Sequence, residues 1–129
     1  MDREVLYQDV NTFDGMALAI YASGNTKKYD VVVRGIAKQR GVEESSLRDQ
    51  TIAHFNKLRT YSVQIYKLKR LAAVFSSETD MTTAQRDALE AVVGPIQSEF
   101  DHYCLVELAF SKRESDSVLE ALLRFEAKQ

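Results

Sequence analysis

One cysteine, one proline, two histidines and no tryptophan in 129 residues leave several kinds of chemistry without players. The lone Cys104 excludes an internal disulfide. With no Cys-x-x-Cys pair there is no thiolate set for zinc, so the chain suits an ordinary reducing compartment, the cytoplasm. The sequence has no glycine-rich phosphate loop, no Gly-x-Ser-x-Gly elbow and no His-Glu-x-x-His pair. Nucleotide, acyl-transfer and zinc-protease chemistry therefore lack their usual apparatus. The expectation is a protein that is not an enzyme and uses no cofactor.

Long apolar runs are missing as well. No stretch approaches the roughly 20 apolar residues of a membrane span. Met1-Asp2-Arg3-Glu4 does not begin a signal peptide, so no membrane partner is expected. A formal net charge of -2 argues against coating nucleic acid by bulk attraction, although it leaves room for a local basic patch. One proline and five glycines leave few places to break a helix. β-branched residues run together only at Val31-Val32-Val33. The class read from this is all-α: one domain, residues 1–129, a bundle of about five helices organised around a long antiparallel helical hairpin.

What is present is one long uninterrupted segment. Residues 47–75 contain neither glycine nor proline and predict a single helix of roughly 45 Å. Leu58, Tyr61, Ile65, Leu68, Ala72 and Phe75 follow one another by alternating threes and fours, the spacing of a helix seam. Val63, Tyr66 and Val74 form a thinner set on the far side. That is more apolar surface than one partner helix covers, so a homo-oligomer or a helical protein partner is expected.

The rest of the chain divides around that helix: N-terminal helices over 1–46, the hairpin over 47–112 and a C-terminal helix over 113–129. Leu6, Val10, Phe13, Ala17 and Ile20 share a helical face with Gly15 as a weak point and Asn11 or Thr12 as a second start, and Ser23-Gly24-Asn25 ends it. Thr26 is placed to cap the next helix, whose Tyr29, Val32, Val33 and Ile36 share a face up to Gly41. After a loop at 76–83, Thr82 and Gln85 form a capping box. Leu89, Val92 and Val93 lead to Gly94-Pro95, where a kink or restart is expected. Ile96, Phe100, Tyr103, Cys104 and Leu108 continue the face, and Ser115 or Asp116 is placed to cap the last helix.

Charge is unevenly distributed. From Gln50 to Ser77 there is no acid, but there are Lys57, Arg59, Lys67, Lys69 and Arg70. Asp87, Glu90, Glu99, Asp101 and Glu107 stand on the return strand of the hairpin, where intramolecular pairing is the simple expectation. The basic residues with Tyr61 and Tyr66 also suit a nucleic-acid grip by charge and stacking. Glu99 and His102 have the Glu-x-x-His spacing that di-iron bundles use twice, but here it occurs once, and no metal site is expected.

The segment Ile36-Ala37-Lys38-Gln39-Arg40-Gly41-Val42-Glu43-Glu44-Ser45-Ser46-Leu47-Arg48 resembles the helix-turn-helix of DNA-binding proteins. The small Ala37 falls where two helices cross, Gly41 in the tight turn, and Val42 and Leu47 toward the core. The resemblance implies that Lys38, Arg40, Ser45, Ser46, Arg48 and Gln50 meet duplex DNA. Glu43 and Glu44 depart from the pattern, standing where it usually offers a hydroxyl or a base. A helix-turn-helix followed by a long hairpin is similar to two plans, the small dimeric transcription regulator and the small terminase subunit of tailed phages. The function so implied is DNA binding or DNA packaging, with oligomerisation through the hairpin. The residues themselves leave a second reading open, an ordinary helical corner closed by Gly41 in a protein–protein interaction or scaffold bundle without nucleic-acid binding.

Overall fold

The computed structural model describes residues 12–75 and 82–129, the side chains of Val74 and Phe75 excepted. Leu6 and Val10, the Phe75 side chain and most of the expected loop at 76–83 lie outside the described residues. Five helices make up the described chain and pack on one another without strands, an all-α bundle: α1 (Phe13–Ser23), α2 (Thr26–Arg40), α3 (Glu44–Phe75), α4 (Thr83–His102) and α5 (Lys112–Ala127).

Each boundary has a local cause. The Thr12 side chain accepts from the Gly15 N–H and starts α1, and Gly24 in the left-handed conformation, φ 78°, ends it. Helix α2 is capped by Asn25, whose Oδ1 accepts from the Lys28 N–H at 3.1 Å, and not by Thr26. Asparagine is the stronger cap and takes the position one residue earlier. Gly41, φ 68°, closes α2. Helix α3 then begins at Glu44, three residues before the expected start, because the acid favours the positive helix end.

Helix α4 runs unbroken through Pro95, so the chain does not restart there. Proline removes the N–H that would bond the Ala91 carbonyl, and both residues are exposed, which leaves that carbonyl open to water. The capping box of Thr82 and Gln85 forms as its spacing indicates. After His102 the helix widens into a π turn, Tyr103–Glu107, and ends at Ala109 with φ 56°.

Helix α5 begins at Lys112, earlier than a Ser115 or Asp116 cap would put it. Ser111 caps it in a box with Glu114. The second oxygen of Glu114 accepts the Thr12 N–H at 3.0 Å, so this buried carboxylate serves the starts of two helices. That double duty explains a carboxylate in the interior.

Helices α3 and α4 form the antiparallel hairpin, joined at one level by the 2.9 Å hydrogen bond between His54 Nδ1 and the Tyr103 hydroxyl. Helices α1 and α5 lie across one side of it. Phe55 meets Tyr21 of α1 and Phe125 of α5 edge-on, and Arg59 pairs with Glu126. The main core joins Leu58, Ile65, Val93, Phe100, Cys104, Val118 and Leu122, and a second core under α2 joins Ile20, Val33, Ile36, Ala37 and Leu47. Leu68, expected to be buried, only packs half-buried on the main core.

Candidate functional site

The corner between α2 and α3 carries the six residues assigned to DNA contact. Its turn is Gly41-Val42-Glu43, with the Val42 N–H donating to the Ala37 carbonyl at 3.0 Å. Ala37 and Leu47 are buried together, whereas Val42 is 45% exposed and does not enter the core. Lys38, Arg40, Ser45, Ser46 and Gln50 are all exposed. The structure does bring these residues to one corner.

Their charges are partly spent within the chain. Arg48 is half-buried: its Nη2 lies 2.8 Å from Asp30 and 3.8 Å from Glu44, and its guanidinium sits 5.3 Å over the Tyr29 ring. Arg40 lies 3.7 Å from Asp14 and 5.4 Å over the Phe13 ring. Ser45 Oγ donates to Glu43 at 3.5 Å. A phosphate approaching this corner meets Glu43, Glu44 and Asp49 beside two arginines that already have partners, and such acids repel it. Between α1, α2 and α3 lies an apolar pocket of about 240 Å³, bounded by Ile20, Tyr21, Tyr29, Arg48 and Ile52.

The second candidate is the side of the hairpin that faces away from α1 and α5. On α3 the positions Lys57, Tyr61, Gln64, Leu68 and Leu71 succeed one another by four, three, four and three residues, which stacks them in one stripe. On α4 and the π turn that follows it, the positions Leu89, Val92, Ile96, Glu99 and Tyr103 do the same. Tyr61, Glu99 and Tyr103 border one open groove with His102 and Glu107, so the two stripes lie side by side. Leu71 and Val92 are 53% and 51% exposed. Tyr61, Leu68, Leu89 and Ile96 are half-buried.

This face escaped the sequence reading because α4 carries two interleaved seams. Val93, Phe100 and Cys104 point into the core, and Val92, Ile96 and Glu99 form the other seam one position away. Treating Val92 and Val93 as one face merged them.

The expected charge pairing across the hairpin also differs from what forms. Asp101 turns to α5, accepting from Lys112 Nζ at 2.7 Å and from Ser115 at 2.8 Å. Among the described residues no ion pair joins Lys67, Lys69 or Arg70 to an acid of α4, and only Arg59 reaches a C-terminal acid, Glu126. Hydrogen bonding to Glu126 raises the Arg59 pKa. Lys57 Nζ sits 5.3 Å over the Tyr61 ring, and Arg70 donates to the Tyr66 hydroxyl at 3.1 Å.

The Cys104 thiol and the Tyr103 phenol are both shifted away from ionisation. Burial pushes the Cys104 thiol up to about 12, and burial, with Glu107 nearby, raises the Tyr103 phenol. Both groups stay protonated near neutral pH. Among the described residues no group of three His, Cys, Asp or Glu side chains is placed to hold a metal. Among them, too, no helix is long and apolar enough to cross a membrane. No protein-family model, curated protein or solved structure matches the chain.

Proposed function

We propose that this protein is a non-enzymatic helical association module and that its working surface is the outer face of the α3–α4 hairpin. One observation carries the reading. The residues at seam spacing on that face, Leu68, Leu71, Leu89, Val92 and Ile96, remain half-buried or exposed, with Leu68, Leu89 and Ile96 packed against the edge of the main core. Exposed apolar residues scattered singly need no explanation, but two aligned stripes on adjacent helices are the surface a further helix packs on.

Site-specific crosslinking tests it. A photo-crosslinking residue replacing Leu71 or Val92, in cells that make the protein, should give covalent adducts, and the same residue replacing the exposed Gln39 of α2 should give none. Equal yields at all three positions would contradict the reading.

DNA binding at the α2–α3 corner is the second reading. In its favour are the three-residue turn with left-handed Gly41, the buried Ala37 and Leu47, and the exposed Lys38, Ser45, Ser46 and Gln50. These match the helix-turn-helix plan, in which the second helix presents its first residues to base edges. Anisotropy titration with generic duplex DNA at about 50 and about 200 mM salt decides it. If this reading holds, Lys38→Glu weakens a salt-sensitive affinity about tenfold and lowers the salt slope by about one. Absence of salt-sensitive binding leaves the corner a purely structural turn.

A further inference from the structure

The pocket between α1, α2 and α3 is built like a small-molecule site. Ile20, Tyr21 and Ile52 give it apolar walls, Tyr29 lines it, and the start of α2 forms one edge. Arg48 is the one charged residue among the described residues that border it. Its volume of about 240 Å³ lies just below the range of sites that hold drug-sized ligands, which limits an occupant to a single ring or a short branched chain. We infer that this pocket binds a small hydrophobic carboxylate, with the apolar body among Ile20, Tyr21 and Ile52 and the carboxylate on Arg48. The site makes no use of the outer hairpin face, so the two readings are tested separately.

Three observations select an anion with an apolar body. Charge is the first. The pocket is bordered by a guanidinium and by the N-terminal end of the 15-residue α2, which adds partial positive charge, and no acid borders it. Asp30 and Glu44, the acids that pair with Arg48, both meet its Nη2. A guanidinium has five N–H donors, so these contacts leave the Nε and Nη1 groups of Arg48 without a partner among the described residues. They are open to a further carboxylate.

Position is the second. The Arg48 guanidinium lies 5.3 Å over the Tyr29 ring, and Tyr29 stands edge-on to Tyr21 with ring centroids 5.3 Å apart. The cation is therefore held against the aromatic wall before any ligand arrives, which lowers the cost of ordering it on binding. The third is an unmet hydrogen bond. Tyr29 is 6% exposed, and its hydroxyl is buried without a partner among the described residues. Buried hydroxyls ordinarily have one. A carboxylate oxygen seated between Tyr29 and Arg48 accepts from that hydroxyl and supplies it.

The test is a heteronuclear NMR titration of the full-length protein with phenylacetate and isovalerate. Phenylacetamide, which has the ring without the charge, and acetate, which has the charge without the body, are the controls. Phenylacetate should bind saturably with a Kd of about 1 mM or tighter, in keeping with its roughly ten non-hydrogen atoms. It should shift the amides of Tyr21, Thr26 and Ile52 and leave those of α4 and α5 in place. Each control should bind about tenfold more weakly. Ile52 is 38% exposed, so Ile52→Trp fills the pocket from its rim without crowding the core and should abolish binding. Arg48→Lys keeps the charge but loses the planar fork and should weaken binding about tenfold. Tyr29→Phe should weaken binding about threefold with a melting temperature no lower than wild type, because it removes a hydroxyl that the free protein leaves unpaired.

No saturable binding of either carboxylate up to about 10 mM would overturn the inference. So would equal affinity for phenylacetamide, or full affinity in Ile52→Trp or Tyr29→Phe.

Discussion

Leu58 and Leu68 are related by several turns of α3 and by side-chain chemistry, but the structure gives them different surroundings. Leu58 is completely buried between α4, α1 and α5, whereas Leu68 lies half-buried at the rim of the outer face. Leu58→Ala removes a closed-in side chain and leaves a cavity that the packed helices cannot collapse, which costs about 3 to 5 kcal/mol. Leu68→Ala forfeits only part of the transfer energy and leaves a dent that water fills, so in a single chain it costs about 1 to 2 kcal/mol. Urea unfolding followed by far-ultraviolet circular dichroism at about 1 µM protein measures both. Repeated at about 100 µM, the cost of Leu58→Ala should stay the same. That of Leu68→Ala should rise, because association stabilises the folded state by mass action and this variant loses part of it. If Leu68→Ala costs as much as Leu58→Ala at the low concentration, the face is already closed within one chain and the argument for docking fails.

Other perturbations address the fold itself. Because burial raises the folded Cys104 pKa from 9.0 to about 12, the contribution is intact below about pH 9 and is lost as pH climbs through 12, on the order of 4 kcal/mol in all. Denaturant titrations should show this alkaline loss in wild type and its reduction in Cys104→Ala; parallel profiles would refute the burial account. The Arg59–Glu126 pair should be asymmetric, since the carboxylate is 5% exposed and the guanidinium 40%. Arg59→Leu strands a buried charge and should cost about 2 to 4 kcal/mol, whereas Glu126→Leu frees an arginine to reach water and should cost about 1 kcal/mol or less. Equal losses would contradict this. Gly41 and Ala109 both hold positive φ, 68° and 56°; Gly41→Ala should destabilise by about 1 kcal/mol and Ala109→Gly should stabilise by about 0.5 kcal/mol, both read from thermal melts.

The helical class was legible from absences: with so little glycine and proline the chain had few ways to be anything else. Boundaries set by a side chain next to the helix were harder. Asn25 and Ser111 cap their helices one to five residues before the residues expected to do so, because a polar cluster offers several caps and packing decides which is used. Glu114 reads as a surface acid in sequence and is buried because it serves Thr12 as well as Ser111, a contact between the two ends of the described chain that no local pattern announces. At the corner, the sequence brings the six candidate residues together, but it gives no sign that Arg48 will face Asp30 and Arg40 will face Asp14. Both acids lie on other helices, and only the packed structure brings them near. On the hairpin, periodicity located the seam residues correctly, yet one seam is closed and its neighbour is open. That difference depends on where α1 and α5 lie, which the spacing within α3 and α4 does not determine.

Hydrogen exchange as a function of concentration tests the central claim most directly, namely that the outer face of the hairpin is an association surface. Amides at 66–73 of α3 and 84–92 of α4 should exchange more slowly at about 100 µM than at about 1 µM, while those of α1 and α5, already held in the core, should not change. Identical rates along the hairpin at both concentrations would contradict the account.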